Sequence, residues 1–301
     1  MDIIGVDEVT LALYDVKTGQ RYLRDFGLRE VENALPGSRF EAQDGTGLRI
    51  AHWNDPGLPR SNVDPPNFRE TVWGVRDTAT LEAIAAELRK DRPVRRDPSG
   101  GVHSHDEDGY PIVFRLCVRR SLPNQPSLVN VPGRAPMRAP NQVADYTSPV
   151  RPLTLAHHVF YTLDMVKAER FYVQRLGFYV TDRFTGTGVF LRSAGCPEHH
   201  NLYLIQRPNT PRGLNHIAFH VRDHLQLMIG GQQFLAKGWE SAWGPGRHIF
   251  GSNHFWYFKS PFGGNIEYDA DIDYVDERWI PRETQISLQA GAKWLVEKFE
   301  V

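Results

Sequence analysis

The sequence predicts an α+β fold of four βαβββ modules, paired into two domains with curved, barrel-like mixed sheets and outer helices. Three observations lead to this prediction. The 301 residues suffice for about two domains. A proline-rich stretch divides the chain near its midpoint, and similar strand–helix patterns recur on both sides of it. Because each module needs a partner to cover its sheet face, we expect two modules to pack together in each half.

The proline-rich stretch runs from Ser121 to Pro152 and holds seven of the 21 prolines. It has little apolar periodicity, which is typical of a linker rather than of a core element. The predicted limits are therefore 1–120 for an N-terminal domain, 121–152 for the linker and 153–301 for a C-terminal domain.

The first internal repeat is a strand followed by a helix that ends in glycine. The strand at Val9–Leu13 leads to a helix ending at Gly27, and the strand at Val159–Leu163 leads to one ending at Gly177. Each glycine stands where the end of a helix needs a positive φ angle. The two glycines are 150 residues apart (177 minus 27), which predicts equivalent modules at the start of each half.

A second repeat marks the other two modules. The strands Glu70–Asp77 and His216–Asp223 both end in Val-Arg-Asp, and a helical segment follows each of them. In every module a single helix precedes several short strands, so the sheets should have antiparallel character. This pattern completes the four modules, two in each half.

The two modules of the second half also match each other at a histidine. His157 precedes Asp164 by seven residues, and His216 precedes Asp223 by seven. Both histidines therefore lie near the start of equivalent strands. Since side chains alternate across a strand, His157 rather than its neighbour His158 should face inward together with His216.

Charge and composition exclude several classes of partner. Lys and Arg number 35 against 36 for Asp and Glu, so no summed positive field is available for nucleic acid or an anionic membrane. Two cysteines, Cys117 and Cys196, are too few to staple this chain and fit a reducing compartment. Neither a signal peptide nor an apolar stretch of about 18 residues is found, and we expect a cytoplasmic protein.

Nine of the 12 histidines lie at or after His157, which places the expected chemistry in the second half. Histidine is the commonest metal ligand. Glu267 supplies a carboxylate in a strand that follows a glycine-rich turn at Pro261–Asn265. Two imidazoles and one carboxylate form the facial triad that leaves three positions of Fe(II) open, enough for a substrate and dioxygen.

Here the second half resembles the type I extradiol ring-cleaving dioxygenases of the vicinal oxygen chelate superfamily. His248 is followed by Tyr257 nine residues later and by Glu267 ten residues after that, as in the family signature. The first half resembles the family only in its module architecture. The matching segments are Gly244–Phe258, Pro261–Tyr268, Leu155-Ala-His157 and Leu214-Asn-His216-Ile-Ala-Phe.

The resemblance implies that His157, His216 and Glu267 bind Fe(II), and the same ligand set suits Mn(II). It also implies a catechol-type substrate from aromatic catabolism, cleaved with dioxygen to a product of the 2-hydroxymuconic semialdehyde type. A homo-oligomer is expected on the same ground. No organic cofactor is required.

The resemblance assigns three further residues to the reaction. His200 matches the acid–base histidine beside the metal, while His199 next to it is an alternative for that role. His248 and Tyr257 match the residues that hydrogen-bond the substrate. A histidine suits proton transfer because its pKa lies near working pH.

The first half is not expected to bind iron. Asp7, Glu70 and Val113 stand at the positions that correspond to the three ligands when the repeats are aligned. Without imidazoles this half should brace the catalytic half instead.

Two other functions stay open at the level of sequence. One is a metal-dependent isomerase or lyase of the glyoxalase type, which draws a fourth ligand from a paired module. The other is a binding protein of the same fold without catalysis. The helix-like segment from Gln285 to Phe299 is predicted either to close over the active site or to form a subunit contact.

Overall fold

In the computed structural model, residues 1–34, 37–61, 67–123, 126–287 and 291–296 are described. They form two mixed sheets of eight and ten strands. The helices with described bounds are α1 (Val16–Asp25), α2 (Thr78–Leu88), α3 (Met165–Arg170), which continues as a π-helical turn at Phe171–Arg175, and α4 (His224–Ala236). Among these residues no helix has both the length and the apolar character needed to cross a membrane.

The first sheet contains two modules joined through their first strands. Its order is β2-β3-β4-β1-β5-β8-β7-β6, in which β1 pairs antiparallel with β5 and parallel with β4. The strands are β1 (Ile3–Leu13), β2 (Arg29–Ala34), β3 (Gly37–Glu41), β4 (Gly47–His52), β5 (Phe68–Val75), β6 (Arg95–Arg96), β7 (Val102–His105) and β8 (Pro111–Leu116).

The second sheet repeats this order and adds one strand at each edge. The order is β17-β10-β11-β12-β9-β13-β16-β15-β14-β18. The predicted four βαβββ modules are thus confirmed, in two curved sheets that do not close. The strands are β9 (Thr154–Tyr161), β10 (Tyr179–Phe184), β11 (Gly188–Arg192), β12 (Leu202–Ile205), β13 (Gly213–His220), β14 (Ser241–Arg247), β15 (His254–Phe258), β16 (Asn265–Ala270), β17 (Arg282–Thr284) and β18 (Trp294–Leu295).

Local signals start and end the module helices. Each begins after an aspartate whose carboxylate accepts the N–H of the residue three positions on, at Asp15, Asp77, Asp164 and Asp223. Gly27 has a φ of 95° and Gly177 a φ of 76°, which other residues adopt only with strain.

The two halves share one apolar core. The ring of Phe26, which follows α1, stacks on Tyr268 of β16 with a centroid distance of 4.0 Å. The Tyr268 hydroxyl donates to the backbone oxygen of Phe26 at 2.7 Å. A helix of the first half is therefore packed against the strand that carries Glu267. Between Leu116 and Thr154 the described residues form neither helix nor strand, and we retain 121–152 as the proposed linker.

The strand register corrects the alignment of the two halves by one residue. Glu8, not Asp7, takes the position of His157, and it is occupied by an ion pair with Arg39 at 2.6 Å. The π-helical turn at Phe171–Arg175 explains the slip, since it adds a residue between strand and glycine in the second half only. The aligned sets are Glu8, Val72 and Val113 in the first sheet, and His157, Ala218 and Glu267 in the second.

His158 lies on the opposite face of β9 from His157 and belongs to the core. It is 1 % exposed, and its ring packs against Trp73 and Phe160. Burial lowers the pKa of His158 to about 3. This histidine is therefore neutral in the folded protein at every pH where the protein functions.

The substitution His158→Phe is expected to reduce the acid sensitivity of the fold. An unfolded histidine binds a proton near pH 6.5, whereas His158 in the fold does so only near pH 3. Its contribution to stability is therefore complete above pH 6.5 and is lost as the pH falls toward 3. Between pH 7 and pH 5 the loss is about 2 kcal/mol for this site.

Urea unfolding at pH 7 and pH 5 measures this effect as the change in the free energy of unfolding. The exposed His224 serves as the matched control through His224→Phe, which should leave the pH dependence unaltered. Equal acid sensitivity of wild type and His158→Phe would contradict the assignment.

Candidate metal centre

Three adjacent strands of the second sheet bring two histidines and a glutamate to one point. His157 on β9, His216 on β13 and Glu267 on β16 are all buried. The two histidine Nε2 atoms are 3.2 Å apart, and they lie 3.4 Å (His157) and 3.3 Å (His216) from Oε2 of Glu267. Within the described residues, these three side chains form a group whose ligand atoms lie close enough together to hold a metal ion.

The charge states at this point fit a divalent cation. Neither carboxylate oxygen of Glu267 has a hydrogen-bond partner among the described residues, and burial raises the pKa of Glu267 well above its ordinary value. Burial, reinforced by neighbouring histidines, lowers the pKa of His157 and of His216 well below theirs. A buried carboxylate without a partner is costly, and a metal ion held with two neutral imidazoles removes that cost.

Polar side chains lie behind both imidazoles. Nδ1–H of His216 donates to Oδ1 of Asn215 at 2.6 Å, and Nδ2 of Asn215 donates to the Tyr161 hydroxyl at 2.6 Å. Nδ1 of His157 lies 3.6 Å from Oδ2 of Asp269. The hydrogen bond at Nδ1 of His216 turns its Nε2 toward the shared point, which is the usual arrangement behind metal-binding histidines. Asp269 lies behind His157 at a longer distance, without a hydrogen bond to its ring.

Two further charged side chains, the buried His220 and the partly buried Glu198, lie next to Asp269. His220 lies between two acids, with Nε2 3.1 Å from Glu198 and Nδ1 3.5 Å from Asp269. Burial opposes the charge of His220, but the two carboxylates outweigh it and raise its pKa well above the ordinary value. The positive charge of His220 stabilises the ionised carboxylate of Asp269, which lies next to His157.

A cavity of about 270 Å³ opens beside the three side chains. Aromatic and aliphatic groups form most of its wall, so it suits a ring that is largely apolar. The wall includes Phe184, Phe190, Tyr203, Ile205, Trp243 and Phe250.

His200 reaches this cavity and His199 does not. The His200 ring lies 4.4 Å from that of His157, centroid to centroid, and lines the cavity. His199 is fully buried behind it and is bound to Asp182. Burial, with neighbouring histidines, lowers the pKa of His200 well below its ordinary value, so its ring is neutral before reaction.

His248 and Tyr257 meet on the other side of the cavity. The Tyr257 hydroxyl donates to Nε2 of His248 at 3.0 Å, and Nδ1–H of His248 donates to the backbone oxygen of Gly291 at 2.7 Å. Tyr257 stands directly opposite Glu267 in the β15–β16 register. Burial lowers the pKa of His248 to about 4, so it accepts this hydrogen bond as a neutral ring.

The C-terminal segment borders the cavity. Ile286 and Gly291 line it, and β18 pairs with β14 at Arg247 and Gly246. Of the predicted helix-like segment from Gln285 to Phe299, residues 288–290 and 297–299 lie outside the described residues. Its described part contributes these two residues to the cavity wall, and both predicted roles, closure over the site and a subunit contact, stay predictions.

The sequence arguments did not identify the residues that orient the metal-binding histidines. Asn215 carries a usable signal, since it directly precedes His216. Asp269 also carries one, because it lies two residues after Glu267 and so faces the same side of β16. No sequence signal identifies Asp182, because it lies on another strand and is connected to the site through His199.

Comparisons with known proteins show which sequences this chain resembles. Residues 154–268 match the model of the Glyoxalase/Bleomycin resistance protein/Dioxygenase superfamily. Metapyrocatechase 2 of Cupriavidus necator is 28% identical over 271 residues, which cover 90% of this chain and 82% of that protein. An iron-dependent extradiol dioxygenase of Rhodococcus jostii is 32% identical over 148 residues, 44% of this chain and 49% of that protein.

The fold also matches a solved structure along nearly its whole length. A Mn(II)-bound glyoxalase from Novosphingobium aromaticivorans superposes with a TM-score of 0.77 at 20% identity, over 97% of this chain and 91% of that one. The likeness concerns the arrangement of the four modules. Residues 154–268 therefore contain a domain that matches the glyoxalase/bleomycin resistance protein/dioxygenase superfamily, and the whole chain shares the four-module fold of the solved structure.

Proposed function

We propose that this protein is an Fe(II)-dependent extradiol dioxygenase, which cleaves a catechol beside its two hydroxyl groups with dioxygen. The observation that carries the proposal is the convergence of His157, His216 and Glu267 next to an apolar cavity that His200 and Tyr257 also enter. The product would be of the 2-hydroxymuconic semialdehyde type. The extradiol relatives in Cupriavidus and Rhodococcus support this reading.

Fe(II) held by the three side chains would supply a shared binding point for the two catechol oxygens and dioxygen, and a path for electrons between them. Two histidines and one carboxylate leave positions open for both reactants. Mn(II) suits the same donors.

His200 is the proposed acid–base residue. Its neutral ring faces the cavity from the side of His157 and can accept a proton from a catechol hydroxyl. The same nitrogen can return the proton to an oxygen atom later in the reaction. Its buried position keeps bulk water from taking over this transfer.

Tyr257 and His248 are the proposed residues that orient the substrate oxygens. The hydrogen bonds from Tyr257 to His248, and from His248 to Gly291, hold both side chains in one orientation. A hydroxyl at this place can turn from His248 toward a bound oxygen without moving the strand. The aromatic wall would pack against the substrate ring and limit its orientations.

A glyoxalase-type isomerase is the other reading within the superfamily, because a Mn(II)-bound glyoxalase shares the fold. The described residues supply three donors at the metal point rather than four. An isomerase also has no use for dioxygen. Oxygen uptake therefore distinguishes the two activities.

The decisive experiment reconstitutes the protein with Fe(II) without air, adds a panel of catechols, and then admits air. We expect oxygen uptake together with a yellow product in the visible spectrum. Protein loaded with Zn(II), which has no redox chemistry, is the control. No oxygen uptake with any catechol, although iron is bound, would overturn the proposal.

The substitution Asn215→Ala is expected to weaken Fe(II) binding by about 10–100-fold. It removes the acceptor at 2.6 Å that orients the imidazole of His216, but leaves all three ligands in place. The dissociation constant, measured by competition with a chelator, reports the effect. Tyr161→Phe is the matched control, since it removes only the hydroxyl behind Asn215 and should cost less. Equal affinity of wild type and Asn215→Ala would contradict the role of this hydrogen bond.

A further inference from the structure

A line of buried polar groups stands behind His200. Nδ1 of His200 lies 3.0 Å from Nδ1 of His199, and Nε2 of His199 lies 2.7 Å from Oδ2 of Asp182. The exposed fractions are 4% for His200 and 0% for the other two residues. The two histidines thus connect the cavity to a carboxylate that does not line it.

The ionised state of Asp182 sets the direction of its hydrogen bond with His199. Arg282 binds Asp182 through Nη2 at 2.5 Å and Nε at 3.1 Å. Burial acts to raise the pKa of Asp182, but the hydrogen bonds from His199 and Arg282 outweigh it and lower that pKa. An ionised carboxylate only accepts hydrogen bonds, so Nε2–H of His199 is the donor.

The tautomer of His200 follows from that of His199. A neutral His199 with its proton on Nε2 presents a lone pair on Nδ1. His200 must then donate from its own Nδ1–H to make the 3.0 Å contact. This leaves Nε2 of His200 without a proton, on the side of the ring that lines the cavity.

We propose that Asp182 and His199 are positioning residues, which fix the orientation and the Nδ1–H tautomer of His200 so that its Nε2 meets a substrate hydroxyl as a base. This inference rests on the proposed role of His200 in catechol cleavage. It assigns a task to His199 that differs from the acid–base role considered from the sequence.

The residues around His199 and Asp182 leave space for these side chains and hold them in place. Gly251 has a φ of 80°. A Cβ at this residue would lie 3.3 Å from Nδ1 of His199 and 3.5 Å from Cε1 of His200. The absence of a side chain at Gly251 therefore leaves space for the two histidines. The guanidinium of Arg282 lies over two rings, 5.0 Å from that of Phe250 and 4.9 Å from that of Trp279. A buried carboxylate and imidazole cost free energy that apolar side chains of the same volume would not.

The C-terminal strand takes part in the arrangement. Arg282 belongs to β17, which pairs in parallel with β10, the strand that carries Asp182. The backbone N–H of Arg282 also donates to Asp182 at 2.7 Å. The carboxylate is thereby held on one side by Arg282 and aimed on the other side at His199.

The first test reads the tautomer directly and needs no turnover. The full chain, labelled with ¹⁵N-histidine and loaded with diamagnetic Zn(II), is observed by long-range ¹H–¹⁵N NMR, with His200→Phe used to assign the signals. We expect His200 to carry its proton on Nδ1 and His199 on Nε2. A proton on Nε2 of His200 would overturn the inference, whether or not the protein cleaves catechols.

The second test separates positioning from structural support. Asp182→Asn is expected to lower kcat at least about 10-fold, as for a disturbed acid–base residue, with KM and Fe(II) content unchanged. Asp182→Glu, which restores the carboxylate, should recover part of kcat. Asp106→Asn is the matched control, because Asp106 is another buried aspartate, lies in the first half and accepts a hydrogen bond from the Tyr172 hydroxyl, and the variant should keep wild-type kcat.

The outcomes distinguish this inference from the proposed function. Wild-type kcat in Asp182→Asn, or no recovery in Asp182→Glu together with a loss of iron, would reject the positioning role and leave catechol cleavage standing. Absence of oxygen uptake by the wild type would reject the proposed function, while the tautomers measured with Zn(II) would still test the hydrogen-bonded line.

Discussion

Replacing Glu267 by glutamine is expected to abolish the retention of Fe(II) and, with it, oxygen uptake with every catechol. The amide is nearly the same size as the carboxylate but carries no negative charge, and a neutral oxygen is a weaker ligand for a divalent ion. Neither oxygen of Glu267 has another hydrogen-bond partner among the described residues. The loss should therefore exceed the about 10–100-fold expected for groups behind the ligands.

Iron content after gel filtration, and the dissociation constant from a chelator titration, measure this effect. The metal-free Glu267→Gln variant should stay folded, because a buried amide costs less than a buried carboxylate. Glu240→Gln is the matched control, since Glu240 is exposed and forms an ion pair with Lys259 at the surface. Stoichiometric iron in Glu267→Gln would exclude Glu267 as a ligand.

The substitution His200→Phe is expected to separate metal binding from turnover. Iron should be retained, because the three ligand side chains are unchanged, while kcat should fall by about 100- to 10,000-fold, as for the loss of a general acid–base group. The new ring fits the site, since His200 already lies among aromatic neighbours, with the ring of Phe190 5.0 Å away.

Iron content and steady-state oxygen uptake are measured together on the same preparation. His224→Phe, at an exposed site, is the control for the exchange of histidine for phenylalanine. If His200→Phe loses its iron as His216→Ala should, His200 acts as a ligand and the second-sphere assignment is wrong. If it keeps wild-type kcat, His200 has no part in proton transfer.

Much of the fold could be predicted because its signals are local. A capping aspartate precedes each module helix, and glycines with positive φ end the first helix of each half. The repeated strand pattern then required pairing of modules, since a single sheet face cannot remain uncovered. The one-residue error at Asp7 came from the π-helical turn at Phe171–Arg175, a local irregularity that neither composition nor residue spacing reveals.

The three proposed metal ligands could also be predicted from local signals in the sequence. His157 and His216 hold the same place in repeated modules, and Glu267 follows a turn that belongs to a family signature. Adjacent strands then necessarily place them side by side. The repeats did not predict the residues that hydrogen-bond these histidines. A side-chain hydrogen bond between strands produces no periodic pattern in the sequence of either strand.

The sequence by itself determined the four modules, the half that carries the chemistry and the residue types available for it. Only the tertiary structure decided between His199 and His200 for the cavity, set Asp182 and Asn215 behind the rings, and brought residues of the C-terminal segment into the cavity wall. The physical reason is that residue type and spacing act along the chain, whereas orientation, tautomer and charge state depend on neighbours distant in sequence. The function needs both kinds of information, since a histidine becomes a ligand or a base only through the group that holds its other nitrogen.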